Sequence, residues 1–274
     1  MCISHKILLK NEQYLSNSNI SATKDQYTLI QAGTGVGKTS MIMDMTGSIK
    51  SHRHVLMVVP SVLKVQELEN SYSGKYGKMK YHFFYDKKTP TEGSFVKNQQ
   101  YIIVCTYDKL DAVLAELPQG DIKQSLFVVD ECHKLYSAGS YRDEAINSIL
   151  FTLAKKRFST VLFLTATFTS DCWNTLNIPL DCIYVVQAES AIQRCLKLIM
   201  MKKGDQYSFI QLVIKRLQAI QTTDQPKKIL IRYNNRQKCE LLAAMLEKYH
   251  QVKTMIVHSK NKSDDNVQEL FTSQ

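Results

Sequence analysis

The segment Ala32-Gly-Thr-Gly-Val-Gly-Lys-Thr39 restricts the fold more than any other stretch of the chain. Its three glycines alternate with small residues. It follows the apolar run Tyr27-Thr-Leu-Ile30 and precedes Met41, Ile42, Met45 and Ile49, whose spacing lines one face of a helix. A strand that turns tightly through glycines into a helix is the arrangement of a phosphate-binding loop. The glycines let the backbone curl inward, so that N–H groups from Gly35 to Thr39 converge on an anion, and the helix start adds partial positive charge. The candidate phosphate-binding residues are Gly33, Thr34, Gly35, Val36, Gly37, Lys38, Thr39 and Ser40. Lys38 would reach the outer phosphates, and the Thr39 hydroxyl would bind Mg²⁺. Ala32 stands where the strict pattern has its first glycine.

The surrounding sequence predicts an α/β protein. Short, nearly uninterrupted apolar runs recur at Tyr27–Ile30, Val55–Val59, Tyr101–Cys105, Leu126–Val129, Val161–Leu164 and Cys182–Val186. Runs of this kind are strands buried on both faces of a parallel sheet. Tyr81–Tyr85 reads as an additional strand. Ala145, Ile146, Ile149 and Leu153 read as a second amphipathic helix, and the alternation implies a doubly wound layer structure. The 274 residues allow one large domain or two smaller ones. The pattern loosens around residues 187–192, which places a linker there and divides the chain into 1–187 and 188–274. In the second part an apolar run (Leu196–Met201) precedes a helix bearing Ile210, Val213, Ile214 and Leu217. A polar turn at Thr222–Pro226, a strand at Lys228–Tyr233, a helix near Gln237–Lys248 and a strand at Thr254–His258 follow. These elements read as the start of a second α/β domain with too few strands to close a sheet.

A second chemical signal is Asp130-Glu-Cys-His133, directly after the Leu126–Val129 run. Two carboxylates at a strand end stand at the carboxyl edge of a parallel sheet, where such folds bind ligands. Asp130 would hold Mg²⁺ through water, and Glu131 would orient or deprotonate an attacking water. Alone, the pair reads nearly as well as a helix cap; beside a phosphate loop it reads as catalytic. Cys132 reads as a packing residue.

Composition sets the surroundings. No stretch of about 18 apolar residues is present to span a bilayer, so no membrane is expected. Seven cysteines without a Cys-x-x-Cys pair argue against a disulfide framework or a zinc site and suit a reducing cytoplasm or nucleus. His52 and His54 lack further ligands at metal spacing and read as a solvated turn before a strand. The net charge is +10; residues 188–274 carry 15 Lys and Arg against 8 Asp and Glu, and residues 1–187 carry 20 against 17. The excess of +7 over +3 in the last third points to a polyanionic partner, nucleic acid first.

With these residues in place the chain resembles the superfamily-two helicases and translocases of the DEAD/DEAH-box-like group. Ala32–Thr39 resembles their motif I, Asp130–His133 a DECH form of motif II, and Thr165-Ala-Thr167 motif III. Val59–Gln66 resembles motif Ia, Cys105-Thr-Tyr-Asp108 motif Ib, Lys228–Arg236 motif IV, and Val257-His-Ser259 the strand end beyond it. The resemblance implies a P-loop, RecA-like domain and part of a second one. It implies ATP and Mg²⁺ as cofactors, hydrolytic roles for Lys38, Thr39, Asp130 and Glu131, and coupling of nucleotide state to domain closure by His133, Thr165 and Thr167. It also implies contact of Pro60, Ser61, Thr106 and Tyr107 with the backbone of RNA or DNA, with Lys227, Lys228, Arg232 and Arg236 as further candidates. Gln13 would be the adenine reader, although the family's aromatic-plus-glutamine signature is missing. Motif V and the arginine-bearing motif VI do not occur before Gln274. The expected function is therefore an ATP-dependent nucleic-acid motor, read as a fragment whose missing arginine would come from a longer chain or a protein partner. The alternative is a nucleotide-gated nucleic-acid-binding module or regulatory subunit without competent hydrolysis. A small-molecule kinase would leave Thr165–Thr167 and the second α/β segment without a role.

Overall fold

Among the described residues of the computed structural model, eight strands form one sheet in which each neighbouring pair is parallel. The structure describes residues 2–10, 14–15, 20, 23–44, 51–74, 80–96, 98–137, 143–188, 206–221, 231, 236–250 and 254. The strands are β1 (Ile3–Leu9), β2 (Tyr27–Ala32), β3 (Val55–Val59), β4 (Lys80–Phe84), β5 (Tyr101–Thr106), β6 (Leu126–Val129), β7 (Thr160–Thr165) and β8 (Cys182–Ala188). They lie in the order β1-β8-β2-β7-β6-β3-β5-β4. The six apolar runs and the additional strand all appear, and β1 joins them at the far edge.

Side-chain alternation sorts each strand onto two cores. Ile30, Val55, Met57, Val59, Ile102, Val104, Leu126, Val128, Leu162 and Leu164 face one layer. Leu29, Leu56, Val58, Tyr101, Ile103, Phe127, Val129, Val161 and Phe163 face the other. Because both faces are covered, the inner strands need no polar alternation, which explains their nearly continuous apolar character. The first layer contains α1 (Lys38–Met43) and α2 (Val62–Tyr72), the latter burying Val65, Leu68 and Tyr72. The second contains α3 (Leu110–Glu116), α4 (Gln119–Ile122), α5 (Lys134–Ser137), α6 (Asp143–Ala154) and α7 (Ser170–Asn174). α6 opens on Asp143 and Glu144, which suit the positive end of the helix, and buries Ile146, Ile149 and Leu153. The predicted helix after the glycine loop is α1; Met45 and Ile49 lie outside the described residues.

His52 and His54 correct the expectation of a solvated turn, since both are buried. The His54 ring accepts the Tyr101 N–H at Nδ1 (3.2 Å) and faces Asp121 through Nε2 (3.3 Å), with Arg53 on the same carboxylate at 3.2 Å. It ties the starts of β3 and β5 to α4, and burial lowers its pKa against the opposing pull of Asp121.

The chain divides into two compact units, Met1–Gln193 and Arg194–Gln274. In the second, α8 (Gln206–Gln221) and α9 (Arg236–His250) are described. In α8 Val213 is buried while Gln211, Leu212, Lys215 and Arg216 are exposed, as the expected apolar face requires. The segments Leu196–Met201, Thr222–Pro226 and Val257–Ser259, and all but single residues of the strands expected at Lys228–Tyr233 and Thr254–His258, lie outside the described residues.

Candidate nucleotide-hydrolysing site

Three neighbouring strands present the chemical residues at one edge of the sheet. β2 leads into the glycine loop, β6 ends on Asp130, and β7 lies between them, paired to both. All run the same way, so their carboxyl ends meet on one side. Gly35 (φ 80°) and Gly37 (φ 84°) adopt left-handed backbone that any other residue would enter only with strain. At Gly37 a side chain would also meet the Cβ of Tyr14 at 3.3 Å. Tyr14 and Leu15 pack on the loop, and the Leu15 N–H donates to the Val36 carbonyl at 3.0 Å. The composition of residues 11–20 gave no sign of this support. Gln13 lies outside the described residues.

Lys38 and Thr39 begin α1. The Lys38 ammonium donates to the carbonyls of Ala32 and Gly33, each at 2.7 Å, which braces it across its own loop. Partial burial lowers its pKa, while Asp130 and Glu131 pull it back up. The loop lysine and the carboxylate pair thus share one electrostatic site. Asp130 is 5% exposed, and its carboxyl is pushed up to about 6, first by burial and then by Glu131, with Lys38 and Lys64 opposing. Sequence reading passed over Lys64, although it stands inside the Val59–Gln66 segment.

The Asp130–His133 turn is pinned from both sides. The Asp130 N–H donates to Val58 of β3 (3.0 Å), and the Cys132 N–H donates to Leu164 of β7 (2.9 Å). Glu131 adopts φ 49°, a left-handed conformation rare outside glycine and concentrated at functional turns. Cys132 is buried in the core, and burial raises its thiol pKa far above the ordinary range.

His133 reaches Thr165, with which it was grouped, and also Glu131. Its Nδ1 lies 3.1 Å from the Thr165 hydroxyl and 3.2 Å from the Glu131 carboxylate. The Thr165 hydroxyl spends its proton on the Thr167 carbonyl (2.7 Å) and accepts the Thr167 N–H (3.0 Å). It can therefore only accept from His133, which places a proton on Nδ1. His133, Thr165 and Thr167 form one connected unit that leads to Glu131.

The residues expected on nucleic acid converge less completely. Val59 of β3 pairs with Thr106 of β5, so Pro60–Ser61 and Thr106–Tyr107 leave the sheet side by side. Pro60 and Ser61 are half-buried at that rim. Thr106 and Tyr107 require a correction: both side chains are buried, and neither presents itself to a passing strand. The Thr106 hydroxyl has no hydrogen-bond partner among the described residues. The Tyr107 hydroxyl donates to the Asp130 carbonyl at 2.5 Å. Arg236 is exposed at the start of α9 and pairs with Glu240; Lys227, Lys228 and Arg232 lie outside the described residues.

Residues 5–170 match the family model described as the type III restriction enzyme, res subunit. The chain belongs to that family. Two solved structures share the fold of this chain across 90% of its length. One is a Dbp5 variant from S. cerevisiae bound to RNA and ADP BeF3, at 15% identity and a TM-score of 0.58. The other is a S. cerevisiae Dbp5 variant bound to a Gle1 variant and IP6, at 17% identity and a TM-score of 0.54. The chain spans 62% and 61% of their lengths. No match is found among curated proteins. The superfamily-two, helicase-like RecA fold expected from the motifs is the fold observed. Among the described residues no helix is long and apolar enough to cross a membrane.

Proposed function

We propose that this chain is the nucleotide-hydrolysing part of an ATP-dependent helicase or translocase acting on RNA or DNA. The observation that carries the proposal is the convergence of Lys38 with Asp130 and Glu131 at one edge of one sheet. Family membership supports a helicase-type domain. The fit to a divalent metal rests on Asp130, a buried carboxyl whose ionised form is disfavoured until a cation stands beside it. When bound, Mg²⁺ would neutralise charge on the transferring phosphoryl group. Asp130 and Thr39 would hold it, Lys38 would lie against the outer phosphates, and the loop N–H groups would take the remaining oxygens. Glu131, anchored by the His133 Nδ1–H, would orient the attacking water and accept its proton.

Nucleic acid would lie along the rim formed by Pro60 and Ser61, held through its backbone, and the second unit would begin a second RecA-like domain. An intracellular, reducing setting suits Cys2, Cys105, Cys132, Cys172 and Cys182, none of which forms a disulfide.

Steady-state ATP turnover with and without single-stranded RNA or DNA tests the reading. Lys38→Ala should lower turnover at least a hundredfold. Glu131→Gln should do the same while nucleotide still binds. Full turnover in Glu131→Gln would remove that carboxylate from its role. Binding without turnover, in this chain and in a longer one, would instead favour a nucleotide-gated clamp.

A further inference from the structure

Tyr107 was expected on the nucleic-acid rim, and the structure turns it inward. Its ring is 2% exposed among Leu110, Val113 and Leu135, at the point where β5 passes into a single 3-10 turn, Tyr107–Lys109. From there the hydroxyl donates to the Asp130 carbonyl at 2.5 Å, with the Glu131 carbonyl farther away at 3.4 Å.

The Asp130–Glu131 peptide is the part of the turn that the strands do not fix. Val58 and Leu164 hold the N–H groups of Asp130 and Cys132. The peptide between these anchors has its carbonyl on Tyr107 and its N–H on Asp130 Oδ1, at 3.0 Å. The tilt of this peptide plane is the φ of Glu131, which stands at 49°. Without the phenol, a rotation of the plane would relieve the left-handed strain at Glu131. The same rotation would swing the N–H away from Asp130 Oδ1 and release the carboxylate it orients.

We infer that Tyr107 is a positioning residue for both carboxylates, its hydroxyl locking the Asp130–Glu131 peptide in the strained orientation that aims them. The lock originates beside Pro60–Ser61, because Val59 and Thr106 are register partners. The inference rests on the hydrolytic reading above.

Tyr107→Phe keeps the ring and removes only the donor. In the full chain, with nucleic acid and Mg²⁺ saturating, kcat for ATP should fall by about tenfold, the order expected for one lost oriented hydrogen bond. The KM for ATP should stay within about twofold, since the phosphate loop is untouched. A melting curve run alongside reports stability separately. A lower melting temperature with kcat equal to wild type would make the phenol a structural group and overturn the inference alone. Absence of turnover in the wild type on every nucleic acid tried would overturn the hydrolytic reading and this inference with it.

Discussion

Asp130 places a testable demand on stability. Its folded carboxyl titrates near 6 against an ordinary 3.8, so between these values the folded chain binds more protons than the unfolded one. Stability must then fall as pH rises through that window and stay reduced above it. A shift of this size corresponds to at most about 3 kcal/mol. Asp130→Asn, in chelator and without nucleotide, should therefore raise the unfolding midpoint in denaturant at pH 8, with the gain shrinking as pH approaches 4. An equal gain at both pH values would refute ionisation as its source. The carboxylates themselves were legible in the sequence, because two acids after an apolar run stand out. The work assigned to Tyr107 was not: a tyrosine at a strand end reads the same whether it faces solvent or the next loop, and only its contact with the Asp130 carbonyl shows which way it turns.

The strands were legible wherever both faces are covered, since burial leaves few polar residues in the run. β1 escaped for the converse reason. As an edge strand it mixes Ser4, His5 and Lys6 with Ile3, Ile7, Leu8 and Leu9, so it shows neither a pure run nor clean alternation. Its register against β8, with Leu8 opposite Gln187 and Leu9 opposite Ala188, sends Leu9 into the core and leaves Leu8 56% exposed. Leu9→Ala should consequently cost about 2–4 kcal/mol of unfolding free energy, while Leu8→Ala costs under about 1. Chemical denaturation of the two variants decides the matter, since a one-residue slip would exchange the values. The buried pair His52 and His54 was misjudged by similar logic: polar residues before a strand look solvated until Asp121, from a later helix, is brought beside His54 and Gln100 reaches the His52 carbonyl.

For the molecule as a whole, charge makes the prediction. With a net +10 and most of the excess in residues 188–274, any nucleic acid bound would be held largely through phosphates. Affinity for a single-stranded oligonucleotide, measured by fluorescence anisotropy, should drop more than tenfold between about 50 and 200 mM salt, with little dependence on base sequence. Salt-insensitive binding would contradict this account. The sheet order was not legible in the sequence, because nothing local in a strand states which partners it will find. That order has a consequence of its own. One strand, β7, separates the phosphate loop from the acidic turn, so the gulf between them is two rungs of a backbone ladder, about 10 Å. Such a ruler is built from main-chain amides and carbonyls. Mutational drift among the aliphatic side chains can weaken the protein long before it changes the width across which the proposed triphosphate would lie.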